Sequence, residues 1–207
     1  MLHIALAKGR IAKTVMARLQ AGGWKFPEYS DDSRKLIFTD AEGRLKVTLV
    51  KSPDVAVYVR RGAADAGIVG KDILIEDGAA DVYEVLDLGI GKCRMAVSGI
   101  KGRQDVMKKR ILTVASKYPG IARKYFASRF QPVDIIQLNG SVELAPLVGL
   151  ADVIVDIVET GTTLRENGLE AYDEFMELSA RLICNKVSYK MKQEELKQFI
   201  ETCGFKK

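Results

Sequence analysis

One stretch of the chain gathers more chemistry than any other: Val153-Ile154-Val155-Asp156-Ile157-Val158-Glu159-Thr160-Gly161-Thr162-Thr163-Leu164-Arg165. It reads as a buried strand ending in an acidic residue, then a Gly-Thr turn that opens a helix. Such a turn points several backbone N–H groups and the hydroxyls of Thr160, Thr162 and Thr163 into one small volume. A tetrahedral phosphate satisfies that geometry best. The helix start carries partial positive charge, Gly161 permits close approach, and hydroxyls fill the remaining oxygen positions. Asp156 would repel a phosphate that it faced, and it suits ribose hydroxyls, which donate to a carboxylate. Phosphate beside a diol describes a ribose 5-phosphate. The same residues also suit an ordinary Thr-capped helix with Asp156 closing a strand, and the segment alone does not separate the two readings.

The elements that must position this loop follow from periodicity. Leu2 to Ala7 is an apolar run, and after Lys8-Gly9-Arg10 the residues Ile11, Val15, Met16 and Leu19 recur at helical spacing up to Gly22-Gly23. Residues 35–39 and 44–50 bracket Asp40-Ala41-Glu42-Gly43 as an antiparallel hairpin. A short helix is expected over 53–61, strands over 66–69 and 82–88, and a helical turn over 71–78 between them. The theme repeats with strands at 95–97, 111–115 and 134–138 and helices around 121–130 and 142–147. A strand at 180–185 and one amphipathic helix over 190–202 complete the chain. Alternating strands and helices predict an α/β fold.

The pattern G-x-A-D occurs twice, at Gly62-Ala63-Ala64-Asp65 and Gly149-Leu150-Ala151-Asp152, each after a helix and before an apolar strand. This predicts two lobes built on a similar unit, with an interlobe cleft where ligands commonly bind. Lobe I is expected over 1–89 plus 171–207. Lobe II, over 90–170, is inserted into it and carries the phosphate loop. The 207 residues, 47% of them hydrophobic, suffice to bury roughly 70% of the unfolded surface, so disorder is excluded as the dominant state.

Composition removes other classes. The single histidine, His3, cannot build a His-rich metal site or a HExxH protease, and it reads best as a strand residue. Cys93, Cys184 and Cys203 lack CxxC spacing, so neither a disulfide framework nor a zinc ribbon is expected, and a reducing cytoplasm is the simplest setting. The N-terminal residues hold no signal-like or spanning apolar run, so neither secretion nor membrane insertion is expected. Asp65 to Asp72 misses the Walker A loop, because Asp65 replaces its first Gly and Asp72 its hydroxyl. Gly89-Ile90-Gly91-Lys92-Cys93-Arg94 places Arg where the third Gly of a dinucleotide fingerprint belongs. The net charge of +5, from 32 basic and 27 acidic residues, hints at an anionic ligand. Since acids interleave with the bases, no nucleic-acid partner is expected.

Adding Glu143, Gly149 and Ala151 upstream makes the loop specific. From Glu143 to Leu164 the pattern E-x5-G-x-A-x2-I-x-D-I-x2-T-G-x-T-L resembles the signature of the ATP phosphoribosyltransferases. The blocks Lys8-Gly9-Arg10, Ala63 to Asp72, Asp87 to Arg94 and Ala115 to Pro119 are similar to further family blocks in the same order. The resemblance implies a two-lobed, type II periplasmic-binding-protein-like fold with a central cleft. It also implies transfer of phosphoribosyl from phosphoribosyl pyrophosphate (PRPP) to N1 of ATP, the first step of histidine biosynthesis.

By the same resemblance, Glu159, Thr160, Gly161, Thr162 and Thr163 cradle the 5-phosphate, Asp156 takes the ribose hydroxyls, and Glu143 belongs to the PRPP site without an assigned role. Lys8, Arg10 and Lys51 are the implied catalytic cations and, with Asp72 and Ile73, the ATP side. Lys51 departs from the family's usual Arg, keeping the charge and losing the bidentate fork. Arg94 is a weaker candidate. Mg2+ is expected on substrate oxygens rather than in a protein cage. Only 22 residues (207 − 185) follow Asn185, enough for one helix and no further domain, which implies the family's short form. That form works as a homodimer of catalytic chains joined to a histidyl-tRNA synthetase-like regulatory subunit in a hetero-octamer. The rival class is a noncatalytic two-lobed module that binds a small anion or nucleotide, and the complete signature argues against it.

Overall fold

The computed structural model describes residues 1–30, 32–78 and 81–205. Its strands are β1 (Leu2–Ala7), β2 (Ile37–Thr39), β3 (Leu45–Val50), β4 (Ala66–Gly70), β5 (Val82–Asp87), β6 (Cys93–Ile100), β7 (Leu112–Ser116), β8 (Val133–Gln137), β9 (Val153–Val158), β10 (Leu169–Leu178) and β11 (Ala180–Asn185). The helices are α1 (Arg10–Ala21), α2 (Val55–Arg60), α3 (Lys71–Asp77), α4 (Pro119–Ser128), α5 (Leu144–Leu147), α6 (Thr162–Glu166), α7 (Lys186–Met191) and α8 (Gln193–Thr202).

The chain forms two compact units, Met1–Gly91 with Ser179–Lys207, and Lys92–Leu178. Each has its own sheet, in the orders β2-β3-β1-β4-β11-β5 and β10-β6-β9-β7-β8. Setting aside the edge strand β2, the pairing is the same in both. In the first unit β1 lies parallel between β3 and β4, and β11 and β5 add on antiparallel. In the second, β7 lies parallel between β8 and β9, and β6 and β10 add on antiparallel. The α/β fold expected from the alternating pattern is the one observed, with one sheet in each unit.

The central strands are nearly continuous apolar runs because both faces are covered. Ile4, Leu6, Ala66 and Ile68 are fully buried, as are Val153, Ile154 and Val155 within 1%. Helix α1 packs through Ala12, Val15, Met16 and Leu19, an i, i+3, i+4, i+7 stripe. The same core takes Leu196, Phe199 and Ile200 from α8. In the second unit, Val142, Ala145, Ile154, Val158 and Leu164 belong to one buried cluster, whose members Val158 and Leu164 flank the 159–163 loop in sequence.

Two expectations are corrected. Residues 190–202 are not one helix: the chain breaks at Lys192 (φ −130°, ψ 39°), whose ammonium donates to Asp65 at 2.7 Å and to the Met1 carbonyl at 3.1 Å. An earlier helix, α7, starts at Asn185, whose side chain accepts from the Val187 and Ser188 amides. Residues 169–178, where the pattern predicts no element, form the long strand β10, paired with β6. Strand β10 joins the second unit's sheet through β6 and ends at Leu178. Among the described residues no helix is long and apolar enough to cross a membrane.

Candidate functional site

Parallel strands send their carboxyl ends to one edge of a sheet, and polar loop residues collect there. In the first unit that edge is formed by Ala7, Val50 and Gly70. The Lys8 amide donates to the Val50 carbonyl at 2.8 Å, which fixes Lys8 beside the start of the Lys51 turn. Gly9 (φ 113°, ψ −145°) turns the chain into α1, whose first residue is Arg10. Lys8, Arg10 and Lys51 are exposed. All three expected cations therefore sit at one edge, Lys8 and Lys51 in loops and Arg10 at the start of α1.

Asp72 and Ile73 follow β4 at the same edge, and each is 8% exposed. The Asp72 carboxylate folds back onto the helix entry, since a Cβ added at Gly70 would collide with Asp72 Oδ1. A carboxylate in the first turn of α3 also complements the helix dipole.

The second unit repeats the arrangement with β7, β8 and β9, which end at Ser116, Gln137 and Val158. Ser116 Oγ donates to the Val155 carbonyl at 2.6 Å and accepts from the Tyr118 amide at 2.8 Å, tying the exit of β7 to β9. Asp156 is half-buried near the end of β9, and its Oδ1 accepts from the Ile157 amide at 2.8 Å. Glu143 is half-buried at the start of α5, where it makes no side-chain cap hydrogen bond.

Beyond Val158 the chain turns through Gly161 in the left-handed region (φ 70°), and Glu159, Thr160, Thr162 and Thr163 stay exposed or nearly so. The Thr160 and Thr162 hydroxyls lie 3.0 Å apart. Arg165 has no role among the sequence expectations, yet its guanidinium closes the loop, donating to the Thr160 carbonyl at 3.0 Å and to Thr162 Oγ1 at 3.1 Å. The available signal is spacing: four residues after Gly161, on a helical turn, Arg165 returns to the loop. Arg94 on β6 pairs instead with Glu174 across the sheet at 3.1 Å. Among the described residues no group of three or more His, Cys, Asp or Glu side chains could hold a metal ion.

Two α/β sheets of matching order, each with polar loops at the carboxyl edge of its parallel strands, define the type II periplasmic-binding-protein class. The Bordetella pertussis BvgS VFT2 domain shares this fold, with a TM-score of 0.61 at 13% identity, covering 98% of this chain and 85% of that one. The particular family comes from closer matches, and the chain belongs to the ATP phosphoribosyltransferases. The family model described as HisG, ATP phosphoribosyltransferase, matches residues 51–203. The ATP phosphoribosyltransferase of Lachnospira eligens is 53% identical over 213 residues, covering 98% of each chain. That of Oceanobacillus iheyensis is 50% identical over 197 residues, covering 95% of this chain and 94% of the relative. The solved ATP phosphoribosyl transferase (HisG:HisZ) complex from Thermotoga maritima matches with a TM-score of 0.84 at 35% identity, over 99% of this chain and 97% of that one.

Proposed function

We propose that this chain transfers phosphoribosyl from PRPP to N1 of ATP with release of pyrophosphate, opening histidine biosynthesis. The observation that carries the reading is the Glu159–Thr163 loop at the end of β9, shaped by Gly161 and presenting three threonine hydroxyls. The second unit, expected over 90–170, is on this reading the one that holds PRPP. Backbone amides and hydroxyls of Glu159, Thr160, Gly161, Thr162 and Thr163 hold its 5-phosphate. Asp156 accepts from the ribose hydroxyls, and Glu143, half-buried in the same unit, completes the PRPP set.

The chemistry asks for no protein nucleophile. N1 of ATP attacks C1 of the ribose with inversion, and the bond to pyrophosphate breaks through an oxocarbenium-like transition state. Charge develops on the ribose and on the leaving oxygens, so catalysis rests on positioning and electrostatic stabilisation. Lys8, Arg10 and Lys51 supply the positive charge for phosphate groups, Lys51 as a point charge rather than a fork. Asp72 and Ile73 belong to the ATP side, where the Asp72 carboxylate can accept from the nucleotide ribose hydroxyls. The reaction uses a divalent metal. Mg2+ held by pyrophosphate and ribose oxygens would offset the leaving-group charge.

The near end-to-end match to relatives of similar length supports the short form. We infer that the chain works with a HisZ-like subunit, resembling histidyl-tRNA synthetase, in a hetero-octamer built on a homodimer of this chain, in the cytoplasm. The test is pyrophosphate release from ATP plus PRPP with Mg2+, with and without the candidate subunit. Product dependent on both substrates is expected, and its absence under both conditions would overturn the reading.

A further inference from the structure

We propose that Arg165 is a positioning residue that sets the direction of the Thr160–Thr162 hydrogen bond, so that the Thr160 hydroxyl is presented as a donor to the 5-phosphate. The proposal rests on the assignment of the 159–163 loop to that phosphate. A guanidinium has donors and no acceptor, so Thr162 Oγ1, 3.1 Å from Arg165, must accept from it. The two hydroxyl oxygens lie 3.0 Å apart and either could donate; the cation repels the Thr162 hydroxyl proton, which favours donation from Thr162 to Thr160 Oγ1. Thr160 Oγ1 faces the Thr162 amide as well, at 3.4 Å. With both lone pairs of Thr160 Oγ1 engaged, its own proton is left for a further acceptor.

An ionised phosphate is rich in acceptors, and a hydroxyl turned the other way would offer it lone pairs instead of a proton. The second arm of the guanidinium donates to the Thr160 carbonyl at 3.0 Å, so one side chain holds both the backbone and the hydroxyl chain of the loop. Gly161 makes this possible, since a Cβ there would come within 3.1 Å of the Arg165 Nη1 atom.

The experiment uses the full chain, with PRPP and ATP affinities by calorimetry, KM for each substrate with the regulatory subunit present, and a thermal melt of each variant. Thr160→Val keeps the shape and removes the donor, and it should weaken PRPP binding about tenfold. Arg165→Met should weaken PRPP to a similar extent and leave ATP affinity within about twofold, with Arg165→Lys intermediate, because one charged donor remains. Since Arg165 acts on the phosphate through the Thr160 hydroxyl, the double variant should lose clearly less than the sum of the two single losses. Additive losses, an equal effect on both substrates, or wild-type PRPP affinity in Arg165→Met would overturn the proposal. If Arg165→Met does not fold, Arg165→Lys carries the same cycle. Unchanged PRPP affinity in Thr163→Ala and Asp156→Ala would instead sink the loop assignment itself, so the two failures are distinguishable.

Discussion

Strands β4 and β9 enter their sheets through the same corner and leave them differently. Gly62 (φ 70°) and Gly149 (φ 73°) make the turn, and Ala64 and Ala151 are buried behind it. Asp65 then exchanges a pair of hydrogen bonds with His3 on β1, amide to carbonyl and amide to carboxylate, each 2.8 Å. Asp152 does the same with Thr113 on β7, at 2.8 and 3.0 Å. Each carboxylate also meets a lysine, Lys192 at 2.7 Å and Lys109 at 2.6 Å. At the exits the likeness ends. Beyond β4 the space at the helix start is filled by the chain's own Asp72, whereas beyond β9 the loop keeps its hydroxyls outward, braced from the side by Arg165. One scaffold thus makes a self-closed exit and an open one, and the open one suits an external anion.

The largest expected effect is at the open exit. Gly161→Val forces a β-branched residue to φ 70° and crowds Arg165, and PRPP-dependent turnover should fall by about 100-fold or more. A rate within about threefold of wild type would break the contrast between the exits. Thr163→Ala and Asp156→Ala should each lose about tenfold or more in turnover while their melting temperatures stay near wild type.

The corners come next. Asp65 also accepts from Ser188 Oγ at 2.8 Å and, through Lys192, secures the break between α7 and α8. Asp65→Ala should therefore cost about 3–4 kcal/mol in urea unfolding, against about 2 kcal/mol for Asp152→Ala. Equal losses would show that the terminal helices add nothing to the first corner.

Acid should act on both corners in the same direction. Burial raises each carboxyl's pKa, but the lysine and amide hydrogen bonds outweigh it and hold both below the ordinary 3.8. Their contribution is complete above pH 3.8 and is lost as pH falls through the depressed folded-state values. Asp65→Asn should flatten the acid limb of the stability curve, and an unchanged limb would remove the corner from the account.

Gly70→Ala tests the closed exit. Its methyl would strike Asp72 Oδ1, costing about 1–3 kcal/mol, and the double variant with Asp72→Ala should recover part of the loss in thermal melts. The smallest effect is expected for Arg94→Ala. Both partners of its ion pair with Glu174 are more than a third exposed, so stability should change by less than about 0.5 kcal/mol.

Much of this is legible in local signals. The apolar runs of β1, β4 and β9, the stripe on α1 and the repeated G-x-A-D corner are all properties of neighbouring residues. Strand β10 is not, because register shifts between Ala171 and Asp173 and between Glu174 and Met176 break its alternation, and because four acidic residues are scattered through it. The break at Lys192 is hidden for a different reason, since its cause, Asp65, lies far away in the chain. The cations Lys8, Arg10 and Lys51 are legible as candidates, but their common edge follows from β1 and β3 running parallel.

By itself, then, the sequence determined most of the element types, the family and which residues make up the Glu159–Thr163 loop, since helical period, apolar runs and hydroxyl spacing are carried by nearby residues. Only the tertiary structure decided the sheet orders, the closing of one strand exit by Asp72 and the bracing of the other by Arg165. Strand pairing depends on partners distant in the chain, and the direction of a side chain is set by the space its neighbours leave.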